Sequence, residues 1–319
     1  MARIRLLWLS RSNHNLLTTQ PMPEQKKNTL LPTLAMIAIT LLWGGSFSMI
    51  KLALAHYHVF VVTFSRMIIA AVLFALCWPK MRHVRVLRCD IAPMLGMILC
   101  EPCLFFTFEA YALYNTTASQ AGMIVALTPM IIAAAACFFL KERPGLLVWI
   151  GFAVAIAGVM ILSYDASATA DAPNPILGNF LEGLAMATAA GFVICLKKLK
   201  GTYPPLFMAA TQAFGGCIFF SLTLLLPAVQ WPDSWPLIPT LAIGYLGVLI
   251  TFLGISLYNY ALSGLPATRS AGLLNLVSVS AVIFGVIFLG ENLTWLQWAA
   301  CGLVLLGVFI SRRSPVKQV

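Results

Sequence analysis

Charge is what this sequence has least of. Asp, Glu, Lys and Arg make up 9% of its 319 residues, where soluble proteins carry about 25%. Too few charges are present to clothe a soluble exterior, and apolar residues reach 61%. A soluble fold of this length would divide into domains with charged surfaces, so lipid is the solvent that remains. Histidine is scarce too: four are present, none inside a clear apolar span, and no phosphate-binding loop occurs. A His-rich metal centre and a nucleotide-driven motor both lack their parts, and no cofactor is expected. The eight cysteines are scattered, mostly within apolar segments where Cys acts as a small hydrophobe, so no disulfide framework is expected. Cys100 and Cys103 form a CxxC, but no second pair or His cluster accompanies it, and no metal site is assigned. The run Leu6 to Leu9 is too short for a signal-peptide core. Residues before Met22 read as a dispensable tail, with translation starting at Met1 or Met22.

The net charge of +10 does not form one continuous basic face, so nucleic acid is not an expected partner. The basic residues sit in short clusters between apolar windows of about 20 residues, the length of a membrane-spanning helix. Ten such windows are read: 31–53, 59–78, 91–113, 118–140 and 146–162, then 176–196, 205–226, 237–260, 267–289 and 294–310. Lys and Arg accumulate on the cytoplasmic side. With the N-terminus inside, all of the 20 Lys and Arg except Lys51 and Arg66 fall on that side. The outer loops hold Asp165, Asp171 and Asp233 but no Lys or Arg. A multi-pass protein of a bacterial inner membrane, both termini cytoplasmic, is expected.

A shift of 149 residues lays the chain on itself without a gap. Tyr111, Ala112, Leu113 and Ala118 fall on Tyr260, Ala261, Leu262 and Ala267; Glu142, Trp149 and Gly158 fall on Glu291, Trp298 and Gly307; 13 identities lie between residues 111 and 161. Leu and Ala coincide easily, so Glu and Trp carry the match. The shift moves helix four onto helix nine, five segments on, and five is odd. The halves therefore cross the membrane in opposite senses, an inverted repeat with a central cavity that can open to either side. The expected fold is an all-α integral membrane protein of ten helices, divided into a cytoplasmic tail 1–30, a first repeat 31–165, a second repeat 175–311 and a basic cytoplasmic tail 312–319.

The segments Leu42-Trp43-Gly44-Gly45-Ser46-Phe47 through Lys51, Arg66, Tyr111-Ala112-Leu113, Pro129, Leu140-Lys141-Glu142-Arg143 and Leu289-Gly290-Glu291-Asn292-Leu293 resemble the drug/metabolite transporter superfamily, specifically its EamA-type ten-helix members. The resemblance covers roughly residues 30 to 311. It implies a secondary transporter, exporting amino acids or related small polar metabolites, with uptake or exchange as the alternatives. Two departures are present: Lys141 stands before Glu142 where Gly is common, and the slot matching Pro129 holds Ser278.

An ionisable group at mid-membrane costs about 2.5–3.5 kcal/mol on insertion scales, so it faces a cavity or a partner. Glu101, in Cys100-Glu101-Pro102-Cys103, is the clearest case. Pro102 donates no N–H and leaves a carbonyl one turn earlier free beside the carboxylate. Glu101 either titrates or meets a cationic solute, or is permanently paired, for instance to Arg66. Glu109 lies about 80° further round the helix, as a second coupling carboxylate or a snorkelling residue. Arg66 needs a partner or an aqueous vestibule, and its second-half counterpart is Gln212. Trp43 lines the cavity or, with Gly44, Gly45 and Ser46, serves helix packing. Gln120, Thr128, Thr188, Asn259, Asn275 and Ser278 are solute contacts or interhelical hydrogen-bond partners. Glu142 and Glu291 recur in both halves and are structural markers with Pro129, bonding backbone N–H groups at the start of the helix that follows each. The expected partners are a small-molecule substrate, protons and membrane lipid, with the chain a monomer or homodimer. A receptor or scaffold without flux, and an intramembrane enzyme, are the alternative readings.

Overall fold

Hydrocarbon offers backbone N–H and C=O groups no hydrogen-bond partner, and the helix satisfies them within one segment. The computed structural model describes residues 30–140, 145–199, 202–265 and 273–311. Regular structure among the described residues is helical, with a single antiparallel bridge between Thr169 and Ala172 in a loop. The helices are α1 (Leu30–Leu54), α2 (Val59–Leu76), α3 (Ile91–Ile98), α4 (Phe105–Asn115), α5 (Ala118–Val125), α6 (Thr128–Leu140), α7 (Leu146–Tyr164), α8 (Pro175–Lys198), α9 (Pro205–Thr223), α10 (Leu237–Tyr245), α11 (Gly254–Gly264), α12 (Leu276–Leu289) and α13 (Trp295–Ser311). Wide π turns join α3 to α4 over Leu99–Leu104 and α10 to α11 over Leu246–Leu253.

Six segments are long and apolar enough to cross a membrane among the described residues, and a seventh if α5 and α6, bent by 41°, count as one. Leu237–Leu253, Leu276–Leu289 and Trp295–Ser311 are apolar but shorter. The protein is therefore a multi-pass membrane protein, and large apolar side chains such as Phe138, Phe180, Leu222, Ile287 and Trp295 stand exposed on its surface. Two windows expected as continuous helices are broken. Around Glu101 the backbone leaves the helical region (φ −145°, ψ 116°) ahead of Pro102, which cannot supply the N–H that would continue the ladder. The 118–140 window stops at Val125 and restarts at Thr128, with Pro129 in the first turn of α6, where a missing N–H costs nothing. Lys141, Glu142, Arg143, Lys200, Ala267, Arg269 and both tails lie outside the described residues.

Short polar residues set the helix ends. The Nδ1 atom of His58 accepts from the N–H of Phe60 at 3.2 Å to start α2, and desolvation holds His58 below the usual histidine pKa, which keeps that acceptor available. Asn174 and Thr117 cap α8 and α5 in the same way, and Gly290, at φ 65°, ends α12.

Glycine governs how closely the helices approach. A methyl on Gly178 would stand 2.6 Å from Thr116 Cβ, on Gly191 2.9 Å from Cys100 Sγ, and on Gly96 3.1 Å from Cys195 Sγ. These pairs run in opposite chain directions, so α8 lies antiparallel along the whole α3–α4 segment. Between α7 and α13 a methyl on Gly151 would meet Gly307 O at 2.4 Å, and one on Gly158 would meet Ala300 O at 2.9 Å. Those helices are antiparallel and touch through backbone, as small-residue faces allow. Gly151→Leu forces them apart. A loss of about 2 kcal/mol is expected from such overpacking, read as a lowered midpoint of thermal unfolding in detergent, with Gly302→Leu, a position open within 4 Å, as the silent control.

Candidate functional site

Three elements bring Arg66 to its partners: α2 carries it, α4 carries Glu109 and Phe106, and the second π turn carries Thr251. The guanidinium Nη1 lies 3.5 Å from Glu109 Oε2, with both side chains 7% exposed. Nε donates to Thr251 Oγ1 at 2.9 Å, and Cζ sits 3.7 Å above the centroid of the Phe106 ring. Thr251 in turn donates to Leu246 O at 2.9 Å, a carbonyl five residues back that the wide turn frees. One flat cation is thus held by a carboxylate, a hydroxyl and an aromatic face, the combination that suits guanidinium better than ammonium.

Glu109 is buried and paired, which excludes the snorkelling alternative and makes it, not Glu101, the direct partner of Arg66. Glu101 is half-buried at the broken turn, within Coulombic range of both Arg66 and Glu109. Its backbone carbonyl accepts from Gln212 Nε2 of α9 at 3.0 Å. The Pro102 break therefore presents a carbonyl to a partner, but it is the carbonyl of Glu101 itself. Tyr258 of α11 lies within Coulombic range of Glu101 and its ring centroid is 5.3 Å from that of Trp43. Trp43 is half-buried, so it borders the same region. Gly44 and Gly45 pack against Ser280 and Phe284, and Ser46 bonds Trp43 O at 2.6 Å, so these small residues serve packing.

The remaining candidates whose side chains are described do not join this cluster. Gln120 Oε1 accepts from Asn179 Nδ2 and from Thr116 Oγ1, each at 3.0 Å, making it an interhelical partner. Thr128 donates to Val125 O and approaches Met186 Sδ at 2.8 Å, while Thr188 bonds Ala185 O in its own helix. Asn275 stands at the N-cap of α12 and Ser278 is buried in that helix. Pro129 is exposed. Asn259 belongs to α11, but its side chain, like Glu142, lies outside what is described.

A second polar constellation ties the opposite ends of these helices. Lys51 Nζ donates to Leu113 O at 2.8 Å, Thr116 O at 2.6 Å and Asp171 O. Glu291 accepts from the N–H groups of Ala118 and Ser119 at 2.6 and 2.9 Å, the site where a helix start favours negative charge. It caps a helix start as expected, but that of α5 in the other half and not of the α13 that follows it. Thr294 bonds Asp165 beside it.

One residue escaped the sequence reading. Glu182 of α8 is 0% exposed, and both its carboxylate oxygens lack a hydrogen-bond partner. Its signal was in the sequence, as a carboxylate inside an apolar window, the same rule that singled out Glu101. Thr251 carried no such signal, because only the fold brings it to Arg66.

Arg66→Ala leaves Glu109 buried and unpaired. Breaking a buried pair from one side costs about 3–5 kcal/mol, to be read by thermal unfolding in detergent. The double variant Arg66→Met with Glu109→Leu is expected to lose less than Arg66→Ala alone.

Comparison with known proteins gives consistent neighbours. The EamA-like transporter family model matches residues 30–164 and again 176–313. "Uncharacterized transporter YcxC" of Bacillus subtilis is 28% identical over 291 residues, covering 86% of this chain and 90% of that protein. "Probable terminal-alkyne amino-acid exporter" of Streptantibioticus cattleyicolor is 27% identical, covering 88% and 92%. "Uncharacterized inner membrane transporter YedA" of Escherichia coli is 21% identical, covering 88% and 90%. A solved crystal structure, 17% identical, superimposes with a TM-score of 0.60 over 88% of this chain and 95% of the other, a likeness of fold.

Proposed function

Since the chain belongs to the EamA-like transporter family, we propose that it is a secondary exporter of small polar metabolites, amino acids or related compounds, working by alternating access between two inverted five-helix halves. The observation that carries this reading is the buried charge cluster, which draws on both halves. Arg66, Glu101 and Glu109 come from the first, and Thr251, Gln212 and Glu182 from the second. Intramembrane charges that converge at a repeat interface are where a polar solute exchanges its hydration for protein groups.

Several features support ten spans and the inversion. The two family matches have nearly equal lengths and follow one another. The π turn at Leu99–Leu104 recurs at Leu246–Leu253, close to the 149-residue offset of the sequence repeat. The break after Val125 recurs at Asn275. The contacts between α7 and α13 map onto themselves: the same offset turns the Gly151 and Gly307 pair into Ala300 and Gly158, which also touch. Such self-complementary contact between antiparallel helices is what a two-fold axis in the membrane plane produces. The first repeat then spans 31–165 and the second 175–311, with both termini in the cytoplasm of a bacterial inner membrane. Glu291, bonded to Ala118 and Ser119 of the first half, latches the outer end, and in this reading the described conformation is closed outward.

In this mechanism the solute enters from the cytoplasm between the halves and meets Glu101 near the broken turn. Glu101 offers a carboxylate to a cationic group, with the Trp43 and Tyr258 rings beside it. Arg66, steadied by Glu109 and bonded to Thr251 of the second half, holds the two halves in register until the outer latch yields. Export of a compound with an amino group is supported by the chemistry of Glu101 and by the similarity to the probable terminal-alkyne amino-acid exporter of Streptantibioticus cattleyicolor.

Proteoliposomes loaded with a labelled mixture of the proteinogenic amino acids test this, after metabolite profiling of cells with and without the protein. Efflux above empty liposomes is expected. Glu101→Gln should slow it by about tenfold or more, the scale of one lost charged hydrogen bond, while a pH-dependent efflux left fully intact in Glu101→Gln would remove Glu101 from the mechanism. A wild-type protein that moves nothing across a broad metabolite panel would favour a receptor or scaffold.

A further inference from the structure

Glu182 is the one side chain among the described residues that buries a whole carboxylate with neither oxygen bonded. It sits seven residues into α8, about 10 Å along the axis from Pro175, on the face that also buries Asn179, Ala185 and Met186. The donors on that face are already used. Both amide N–H groups of Asn179 go to Gln120 Oε1 and Ser163 Oγ, at 3.0 and 2.9 Å. The Thr128 hydroxyl goes to Val125 O and Met186 Sδ.

Among the described residues, the surroundings add negative charge and no cation. Of the elements packed against α8, α3 and α5 carry no titratable side chain, while α6 and α7 carry only Cys137 and Tyr164. The first π turn carries Cys100, Glu101 and Cys103. On α4, Tyr111 and Tyr114 accompany Glu109, and Glu109 is the group within Coulombic range of Glu182. Glu109 already has Arg66. Three carboxylates, Glu101, Glu109 and Glu182, thus share one guanidinium. An ionised carboxylate buried without donor or counter-ion is far costlier than its neutral acid, so such a group neutralises instead. A metal ion would need several oxygen ligands, and Glu182 stands without any; a proton needs only one lone pair.

We propose that Glu182 is a proton-binding site, loaded in this outward-closed conformation, whose proton is released when the halves rearrange and α4 and α8 separate. One O–H bond forms on one carboxyl oxygen during loading, from a hydronium ion on the cytoplasmic or outer side, and the same bond breaks on release to water. Its part in transport rests on the reading above: Glu182 carries the proton, while Glu101 meets the solute.

The full-length protein in lipid vesicles tests this directly by infrared difference spectroscopy across a pH jump, which reads the C=O stretch of protonated carboxyl groups without any substrate. A protonated-carboxyl band is expected at neutral pH, lost in Glu182→Gln and retained in Glu101→Gln. A spectrum of Glu182→Gln that matches the wild type overturns the proposal. Thermal unfolding of Glu182→Gln at or above the wild-type midpoint is expected, because a neutral amide replaces a neutral acid; a large drop contradicts a neutral Glu182. With the labelled amino-acid mixture, Glu182→Gln should lose the acceleration by an imposed pH gradient. Acceleration that persists in Glu182→Gln overturns the coupling role. If the wild type moves no amino acid but the band behaves as expected, the proton site stands and the substrate reading falls.

Discussion

Among the described residues, a single guanidinium serves an interior that holds three carboxylates, and hydrocarbon compensates none of them. Arg66 meets this with geometry. Its planar fork reaches Glu109 and Thr251 at once, and its face rests on Phe106. The surrounding fold supplies what the fork needs. The wide turn over Leu246–Leu253 frees a carbonyl for the Thr251 hydroxyl, leaving the Thr251 oxygen to accept from Arg66. The turn over Leu99–Leu104 sets Glu101 at the edge of the cluster and gives its carbonyl to Gln212. Both irregular turns lie beside the charges, where a regular helix would have no backbone group to spare.

Close packing brings these charges into range. Gly178, Gly191 and Gly96 let α8 lie against α3 and α4 for their full length, which puts Glu182 opposite Glu109. The same small-residue contact joins α7 to α13 through Gly151, Gly158 and Gly307. Contacts of this type are made of van der Waals surface and carry little side-chain interlock, so helices can slide along them. Polar bonds join the helix ends, where Lys51 holds the carbonyls of Leu113 and Thr116 and Glu291 holds the N–H groups of Ala118 and Ser119.

Much of this was legible in the sequence. Apolar windows place the helices because lipid forces about 20 apolar residues into each crossing. The recurrence of Glu142 and Trp149 at Glu291 and Trp298 accords with a family model that matches the chain twice, and Pro102 marks the broken turn. What was not legible is which helix neighbours which. Arg66 could have met Glu101 or Glu109 on spacing alone, since they lie on one segment. Glu291 reaches Ala118 across 173 positions, and nothing local announces that. The stop at Val125 precedes Pro129 by too few residues to be told from a continuous helix with proline in its first turn. Glu182 was visible as a charge in an apolar run, but without a neighbouring proline it lacked the local feature that drew attention to Glu101.

The account stands on the segment from Ile91 to Asn115 crossing the bilayer with Glu101 and Glu109 inside it. Single cysteines at Arg85 and at Asp171, in a chain whose eight native cysteines are replaced, can be probed with a membrane-impermeant thiol reagent in sealed vesicles of both orientations. Labelling at 85 from the cytoplasmic face alone and at 171 from the outer face alone is the expected result. Labelling of both from one face would take these carboxylates out of the membrane interior and contradict the account.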